Sequence, residues 1–329
     1  AARPNTSTES KPAPGVSRCW NFRETARNYF LARWKSEPMD IAQELARQLQ
    51  LPLPKVQATL QLLQEGNTLP FIARYRKEVT GGLDEENIRQ LQEGWRSLSA
   101  REERRQTILD SLKEQGVERA DLLKAVAEAT TLQALEDLYL PFRPKRKTRA
   151  SQARDLGYGP LAEHILEQRF NQSLEQLLKA YADPQAALAG ARDIVAEVVA
   201  ETATLRQQIR DKALRFGRLR CQRVKGEDPK GTFRTYYDFQ ASLSQLKPHQ
   251  ILAIDRGEEE KVLSLRLELA ERDWRGPLQQ HFRPHPRSPL APALEQASLD
   301  GVQRLLIPAI ERDVRRHLSE VAHQHAIAN

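Results

Sequence analysis

Residues 67–84 have the sequence Asn-Thr-Leu-Pro-Phe-Ile-Ala-Arg-Tyr-Arg-Lys-Glu-Val-Thr-Gly-Gly-Leu-Asp. Pro70 can open a helix, because the first helical turn does not need the N–H that proline lacks. Gly81 ends this helix, and Asp84 can cap the next one. The spacing of the apolar residues predicts one helical face made of Phe71, Ile72, Tyr75 and Val79. The stretch therefore predicts a short amphipathic helix whose other faces carry Arg74, Arg76 and Lys77.

Two further helices are predicted before this stretch. Ile41, Leu45 and Leu49 recur every four residues, as they do on one face of a helix. The proline-rich break at residues 51–54 separates them from a second apolar series, which Gly66 ends. Two short helices with a tight break between them resemble a helix-turn-helix pair.

A long helix is predicted after Asp84. Apolar residues recur there at spacings of three and four, and they are Ile88, Leu91, Trp95, Leu98, Leu109 and Leu112. Glu102 and Arg105 interrupt this series, and Gly116 ends it. A helix of about 28 residues would span roughly 40 Å, which is long enough to act as a strut.

The periodicity changes from helical to strand-like late in the chain. Leu263, Leu265 and Leu267 alternate with polar residues, which predicts a half-buried strand, and residues 219–223 alternate in a way that would pair with it. The final helix contains Pro308 and is expected to bend there. The predicted fold class is mainly α, with helix-turn-helix units around a long central helix and a small antiparallel β-sheet late in the chain.

Three regions follow from these patterns. Residues 1–38 are predicted to be a flexible leader or an upstream extension, because they begin with a stretch rich in Pro, Ser and Thr. Met39 is the one methionine and would be the native start; the alternative is a genuine extension whose aromatic residues dock on the body. Residues 39–145 are predicted to form an N-terminal helical domain, and residues 146–329 a central helical region with the small sheet.

Composition argues against several classes of protein. Two cysteines far apart give no disulfide framework, and no apolar run approaches the roughly 20 residues that span a bilayer. The seven histidines do not sit at zinc-ligand spacing, and nucleophile motifs are absent. The sequence therefore predicts a cytoplasmic, non-enzymatic protein without a metal or cofactor, without a small-molecule substrate and without a membrane partner.

Clusters of basic residues are the candidate functional sites. The net charge of +7 is weak support by itself, since more than half of it lies in residues 1–38. The first cluster, next to Pro144, comprises Arg143, Lys145, Arg146, Lys147 and Arg149, and the second comprises Arg206, Arg210, Arg215 and Arg218. Both are predicted to contact RNA or DNA phosphates without reading bases; the alternatives are a solvated face and internal ion pairs.

Arg74, Arg76 and Lys77 form a third candidate cluster. Arg74 and Glu78 lie four residues apart and can pair on one helix, so a structural network is favoured over ligand contact at this cluster. Base-stacking aromatic residues are few, because Phe142, Phe216 and Phe233 are interpreted as core residues.

Residues 67–84 also resemble the hallmark of the Tex family of bacterial transcription accessory proteins. Three more segments resemble family motifs in the family's order, and they are residues 135–148, 248–258 and 304–315. The resemblance runs from about Met39 to the end, and it implies that RuvC-like, helix-hairpin-helix and OB-fold RNA-binding domains would follow. It implies a scaffold that contacts nucleic acid and possible transcription-machinery partners; the alternative is a helical module that docks on transcription or translation machinery.

Overall fold

The computed structural model describes residues 41–144, 146–168, 172–224 and 228–328. The predicted leader, Met39 and Lys145 lie outside these residues. Within them the chain is mainly α-helical with one three-stranded antiparallel sheet, so the predicted fold class is confirmed. The described residues form two compact units, one up to Arg104 and one from Arg105. None of the described helices combines the length and the apolar composition that crossing a bilayer requires.

The first unit is built from five helices that surround one apolar core. Their bounds are α1 Ile41–Gln48, α2 Leu53–Gln64, α3 Leu69–Tyr75, α4 Lys77–Thr80 and the first part of α5, Glu85–Glu114. The core contains the fully buried side chains of Leu45, Val56, Ile72, Ile88 and Leu91. The predicted long helix is confirmed, because α5 has 30 residues.

Residues 69–80 form two short helices instead of the single predicted one. Arg76 adopts φ −125° and ψ 23° between α3 and α4, which breaks the helical register. Ile72 is buried as predicted, but beyond the break Thr80 turns inward in place of Val79. The predicted apolar face is therefore wrong for Phe71, Tyr75 and Val79, whose side chains are exposed.

Arg105 explains why a charged residue interrupts the apolar series of α5. Its side chain is fully buried in the second unit. Its Nε donates a hydrogen bond to the Val126 carbonyl at 3.1 Å, and an Nη donates to the Ala129 carbonyl at 2.5 Å. Since carbonyls at the end of a helix have no partner within it, the guanidinium group satisfies groups that would otherwise be buried without one.

The second unit contains two apolar clusters. Its helices are α6 Ala120–Glu128, α7 Leu132–Tyr139, α8 Arg149–Asp155, α9 Gly159–Glu167, α10 Leu174–Leu178, α11 Pro184–Glu201, α12 Ala203–Phe216, α13 Pro248–Glu259, α14 Glu271–His281, α15 Ala291–Asp300 and α16 Ile307–Ala328. The smaller cluster joins the end of α5 to α6 and α7, and the larger one surrounds α11 and α12. The predicted domain boundary at residue 145 falls between these two clusters.

Helix α11 lies at the centre of the larger cluster. Asp183 caps it as predicted, because the carboxylate accepts hydrogen bonds from the backbone N–H groups of Gln185 and Ala186, both at 3.0 Å. One face of the helix is made of small, fully buried residues such as Ala187 and Ala191. Small side chains let α8, α9 and α15 approach closely, so this helix positions most of the unit.

The sheet has the strand order β2-β1-β3, in which β1 is Arg218–Arg223, β2 is Gln240–Ser242 and β3 is Leu263–Glu268. The predicted pairing of β1 with β3 is confirmed, since Leu219 lies opposite Leu267 and Cys221 opposite Leu265. Strand β2 was not predicted, because three residues are too few to show an alternating pattern.

The chain forms a π-helical turn, Gly301–Leu306, directly before Pro308. Such a wide turn accommodates a proline inside a long helix. The irregularity predicted at Pro308 is therefore present as this π-helical turn. Gly301 is buried against α11, where an added Cβ would come within 2.6 Å of the Ala196 carbonyl oxygen and 3.0 Å of its Cα. The contact is to backbone, which cannot move aside as the end of a side chain can.

We expect Gly301→Ala to lower the free energy of unfolding by about 1–3 kcal/mol, because the added methyl group overpacks the contact with α11. Gly276→Ala is the control, since a Cβ there would meet no atom within 4 Å. The control should change stability by less than about 1 kcal/mol. Urea denaturation followed by circular dichroism gives both values, and equal values for the two variants would contradict the close-contact argument.

Candidate nucleic-acid interface

The first predicted basic cluster lies on an exposed loop that fixed elements support. A single 3₁₀ turn, Leu140–Phe142, precedes it, and helix α8 follows it. Thr148 and Ser151 form a capping box at the start of α8, with hydrogen bonds of 2.8 and 3.0 Å. The loop therefore presents its charges from an anchored backbone. Its described cations, called the basic loop below, are Arg143, Arg146, Lys147 and Arg149, and all are exposed.

The basic loop is available to an anionic ligand. Among the described residues, none of its four cations lies within salt-bridge distance of a carboxylate. The nearby Arg154 differs, because its Nη1 donates to the Glu197 carboxylate at 2.6 Å and Glu197 is buried. Arg154 is exposed but already paired, whereas the four cations that precede it are exposed and unpaired with carboxylates.

The second predicted cluster divides into two pairs with opposite roles. Arg206 and Arg210 are turned into the protein, where Asp137 accepts hydrogen bonds from Arg206 Nε at 2.8 Å and from Arg210 Nη2 at 2.7 Å. Asp313 lies 3.2 Å from Arg206 and 3.6 Å from Arg210. Two cations are therefore balanced by two anions, and their prediction as phosphate contacts is corrected: Arg206 is buried, only 12% of the Arg210 side chain is exposed, and both are already paired with carboxylates.

Arg215 and Arg218 remain at the surface and line a groove of about 460 Å³. The groove, called the basic groove below, is formed where α12 ends, β1 begins, and β3 leads into α14. The side chains that define it are Arg215, Phe216, Arg218, Glu268, Arg272 and Asp273. Neither Arg215 nor Arg218 lies within salt-bridge distance of a described carboxylate.

The electrostatic balance of the basic groove favours an anion. Glu268 is already engaged, since it accepts hydrogen bonds from Arg220 at 3.2 Å and from Gln240 at 2.8 Å. Asp273 lies 3.9 Å from Arg272, which is a loose contact for an ion pair. The uncompensated charge therefore belongs to Arg215 and Arg218, and phosphate oxygens match the paired N–H donors of guanidinium groups, as carboxylate oxygens do.

Phe216 gives the basic groove an aromatic surface. Its side chain is 51% exposed, so its interpretation as a core residue is wrong, whereas Phe233 is buried as expected. The Arg215 guanidinium lies over the Phe216 ring, with its Cζ 5.1 Å from the ring centroid. The position of Phe216 between Arg215 and the helix-ending Gly217 was the signal in the sequence that could have indicated exposure.

The outer face of the sheet extends this positive surface. Arg218, Arg220 and Arg266 are exposed on it, and Arg220 lies directly opposite Arg266 in the register of β1 and β3. Like charges in opposite positions disfavour strand pairing, and the Glu268 carboxylate that pairs with Arg220 offsets part of that repulsion. Arg266 and Arg272 were not predicted as site residues. Each has an acidic residue close by in the sequence, so neither stands out as part of a basic cluster.

The third cluster is exposed together with the apolar side chains around it. Arg74, Arg76 and Lys77 lie at the surface of the first unit, and no described carboxylate lies within salt-bridge distance of them. The predicted Arg74–Glu78 pair and the structural network built on it are therefore not formed. The surface, called the hallmark patch below, comprises Phe71, Arg74, Tyr75, Arg76, Lys77 and Val79.

The described residues contain no group of His, Cys, Asp and Glu side chains that could hold a metal ion. Cys221 is a poor nucleophile, because burial raises the pKa of its thiol to about 11 and keeps it protonated at neutral pH. What the exposed arrangement can do is bind anions through guanidinium and ammonium groups, with aromatic rings beside them.

Comparisons with known proteins give two family matches. The model of the Tex-like protein N-terminal domain matches residues 39–113, and the model of the Tex central region matches residues 164–328. The transcriptional accessory protein Tex of Neisseria gonorrhoeae is 40% identical over 235 residues, which are 70% of this chain and 31% of that protein. The protein tex of Bordetella pertussis is 40% identical over 274 residues, 81% of this chain and 32% of that protein.

A more distant relative is the human S1 RNA-binding domain-containing protein 1. It is 28% identical over 287 residues, which cover 82% of this chain and 29% of the human protein. The chain thus spans about a third of the length of these three relatives.

We expect Asp137→Asn to lower the free energy of unfolding by about 3–5 kcal/mol, because Arg206 and Arg210 would stay buried beside a neutral amide. Asp121→Asn is the control, since it removes the same charge from an exposed pair with Arg119 and should leave the denaturation midpoint unchanged. Chemical denaturation measures both. An unchanged midpoint for Asp137→Asn would return Arg206 and Arg210 to the set of candidate phosphate contacts.

Proposed function

Because this chain belongs to the Tex family of transcriptional accessory proteins, we propose that it is the part of such a factor that acts as a nucleic-acid-associated scaffold. It contacts RNA or DNA through phosphates, without reading the base sequence. Its role is non-enzymatic and is carried out in the cytoplasm, and the transcription machinery is its partner. The prediction of a helix-turn-helix pair in α1 and α2 remains part of this proposal.

One observation carries the proposal: the exposed cations of the basic loop, together with Arg215 and Arg218 of the basic groove, have no carboxylate partner among the described residues. An exposed guanidinium group without an ion pair keeps its full charge for a ligand. Several such groups close together bind a polyanion mainly by releasing its counterions. Contacts of this kind fix position on a strand and carry no sequence information.

The relatives support an RNA association for the whole protein. The human relative is named for an S1 RNA-binding domain, and the bacterial relatives are named as Tex proteins. When a region with moderate phosphate affinity is linked to a dedicated RNA-binding domain, the two together bind RNA more tightly than either does alone. The reason is that the second contact with the RNA becomes intramolecular. This supports a scaffold that guides nucleic acid in addition to positioning other domains.

The proposal is tested with two variants that each remove three cations. One changes Arg215, Arg218 and Arg272 to Ser in the basic groove, and the other changes Arg146, Lys147 and Arg149 to Ser in the basic loop. Fluorescence anisotropy over a salt series measures binding of labelled single-stranded RNA and duplex DNA. Since each single-strand phosphate contact contributes about 0.7 to the salt slope, we expect each variant to lower that slope by about 2 and affinity about tenfold.

The matched control also removes three positive charges. Arg47, Arg119 and Arg256 are exposed arginines that already pair with acids near in sequence, and all three are changed to Ser. The control should bind within about twofold of the unaltered chain. Equal losses in all variants would show that only net charge matters. No binding by the unaltered chain at low salt would favour the protein-docking module instead.

A further inference from the structure

The hallmark patch exposes apolar side chains where the sequence pattern predicts burial. The exposed fractions are 37% for Phe71, 71% for Tyr75 and 51% for Val79. Scattered single apolar residues are common on protein surfaces, but these three lie within nine residues of each other, on α3 and α4. Their exposure together indicates a surface with a ligand.

The two aromatic rings are held together in a fixed arrangement. The ring centroids of Phe71 and Tyr75 are 5.5 Å apart, and the ring planes are tilted by 42°. The Arg76 guanidinium lies over Phe71, with its Cζ 5.6 Å from the centroid. One face of Phe71 is therefore occupied, whereas Tyr75 has the larger free surface.

The backbone beneath the hallmark patch is anchored. Ile72 and Thr80 are fully buried on the opposite side of α3 and α4. Gly81 ends α4 with φ +64°, and Lys55 Nζ donates a hydrogen bond to its carbonyl at 2.7 Å. The left-handed φ of Gly81 is a conformation that glycine adopts without strain, so this helix end depends on glycine. The exposed rings are thus presented by a fixed support.

The charge around the rings identifies the class of ligand. Arg74, Arg76 and Lys77 lie within two residues of Tyr75 and have no carboxylate within salt-bridge distance among the described residues. Three partly exposed apolar side chains are too few for a stable protein interface, which buries about 800 Å² on each partner. Free aromatic faces flanked by cations match a single nucleic-acid strand, whose bases stack while its phosphates are neutralised.

We propose that the hallmark patch is a stacking site for single-stranded nucleic acid. A base lies on the ring of Tyr75, and the neighbouring phosphates lie at Arg74 and Lys77, while Arg76 remains against Phe71. A duplex does not fit this site, because its bases are stacked on one another and offer no free face. The inference deepens the proposed nucleic-acid function, but it concerns a surface separate from the basic groove and the basic loop.

The test uses the 329-residue chain with three substitutions at one position: Tyr75→Phe, Tyr75→Leu and Tyr75→Ala. The probes are 12-residue oligouridine and oligothymidine, which distinguish RNA from DNA, and a duplex of equal length. We expect Tyr75→Leu and Tyr75→Ala to weaken single-strand binding about tenfold with an unchanged salt slope, and Tyr75→Phe to bind within about twofold. Duplex affinity should stay within about twofold throughout.

A second readout reports the stacking directly. The fluorescence of 2-aminopurine within a single strand should be quenched by the unaltered chain and by Tyr75→Phe, and not by Tyr75→Leu. Leu156→Ala is the surface control, because Leu156 is an apolar residue of the second unit that is 66% exposed. This control should leave all affinities unchanged.

Three outcomes would overturn the inference. If Tyr75→Leu binds single strands and quenches the 2-aminopurine fluorescence as the unaltered chain does, the patch is an apolar docking surface. Leucine keeps the apolar contact but has no aromatic face. If the groove and loop variants lose affinity while every Tyr75 variant binds normally, the proposed function stands and the stacking site fails. If the unaltered chain binds no nucleic acid at low salt, both fail.

Discussion

The buried ion-pair network of Asp137, Arg206, Arg210 and Asp313 is the constraint on which the second unit depends. Two guanidinium groups that are largely removed from water would cost several kcal/mol each without their carboxylates. Asp137 belongs to α7 and the smaller apolar cluster, whereas the arginines and Asp313 belong to α12 and α16. Because hydrogen bonds to carboxylates have narrow geometry, the network fixes how the two clusters of this unit meet. Apolar packing alone would tolerate more than one arrangement of these helices.

The same helix, α12, shows how burial decides what an arginine does. Arg206 and Arg210 lie on its inner face and hold the fold together, while Arg215, one further turn along, lines the basic groove. The number of arginines in this segment therefore overstates its capacity for phosphates. Only cations that remain exposed and without a carboxylate can exchange their water and counterions for a strand. The fold thus separates a paired, largely buried set of arginines from an exposed set within residues that look equivalent in the sequence.

The parts of the structure that can be predicted from the sequence are those with a recognisable spacing of residues. The apolar series of α5, the Asp183 cap of α11 and the alternation of β1 and β3 each depend on spacing, and all three are present. What the sequence could not show depends on single residues in tertiary contact. The core covers only the Ile72 side of α3 and leaves Phe71 and Tyr75 exposed, the break at Arg76 turns Val79 outward, and long-range partners decide whether Arg105 or Arg206 is buried. The sequence shows where basic residues are concentrated, but the division of the second cluster into buried and exposed arginines required the fold.

Base stacking at the hallmark patch and phosphate contacts at the basic groove would respond differently to salt, and this difference has a functional consequence. Phosphate contacts weaken steeply as salt rises, because the counterions they release are already abundant in solution. Stacking of a base on Tyr75 removes apolar surface from water, and its contribution to affinity depends little on ionic strength. As salt rises, a chain with both surfaces therefore loses affinity for duplexes faster than for single strands. Such a chain would select single-stranded nucleic acid most strongly at the salt concentrations where binding as a whole is weakest.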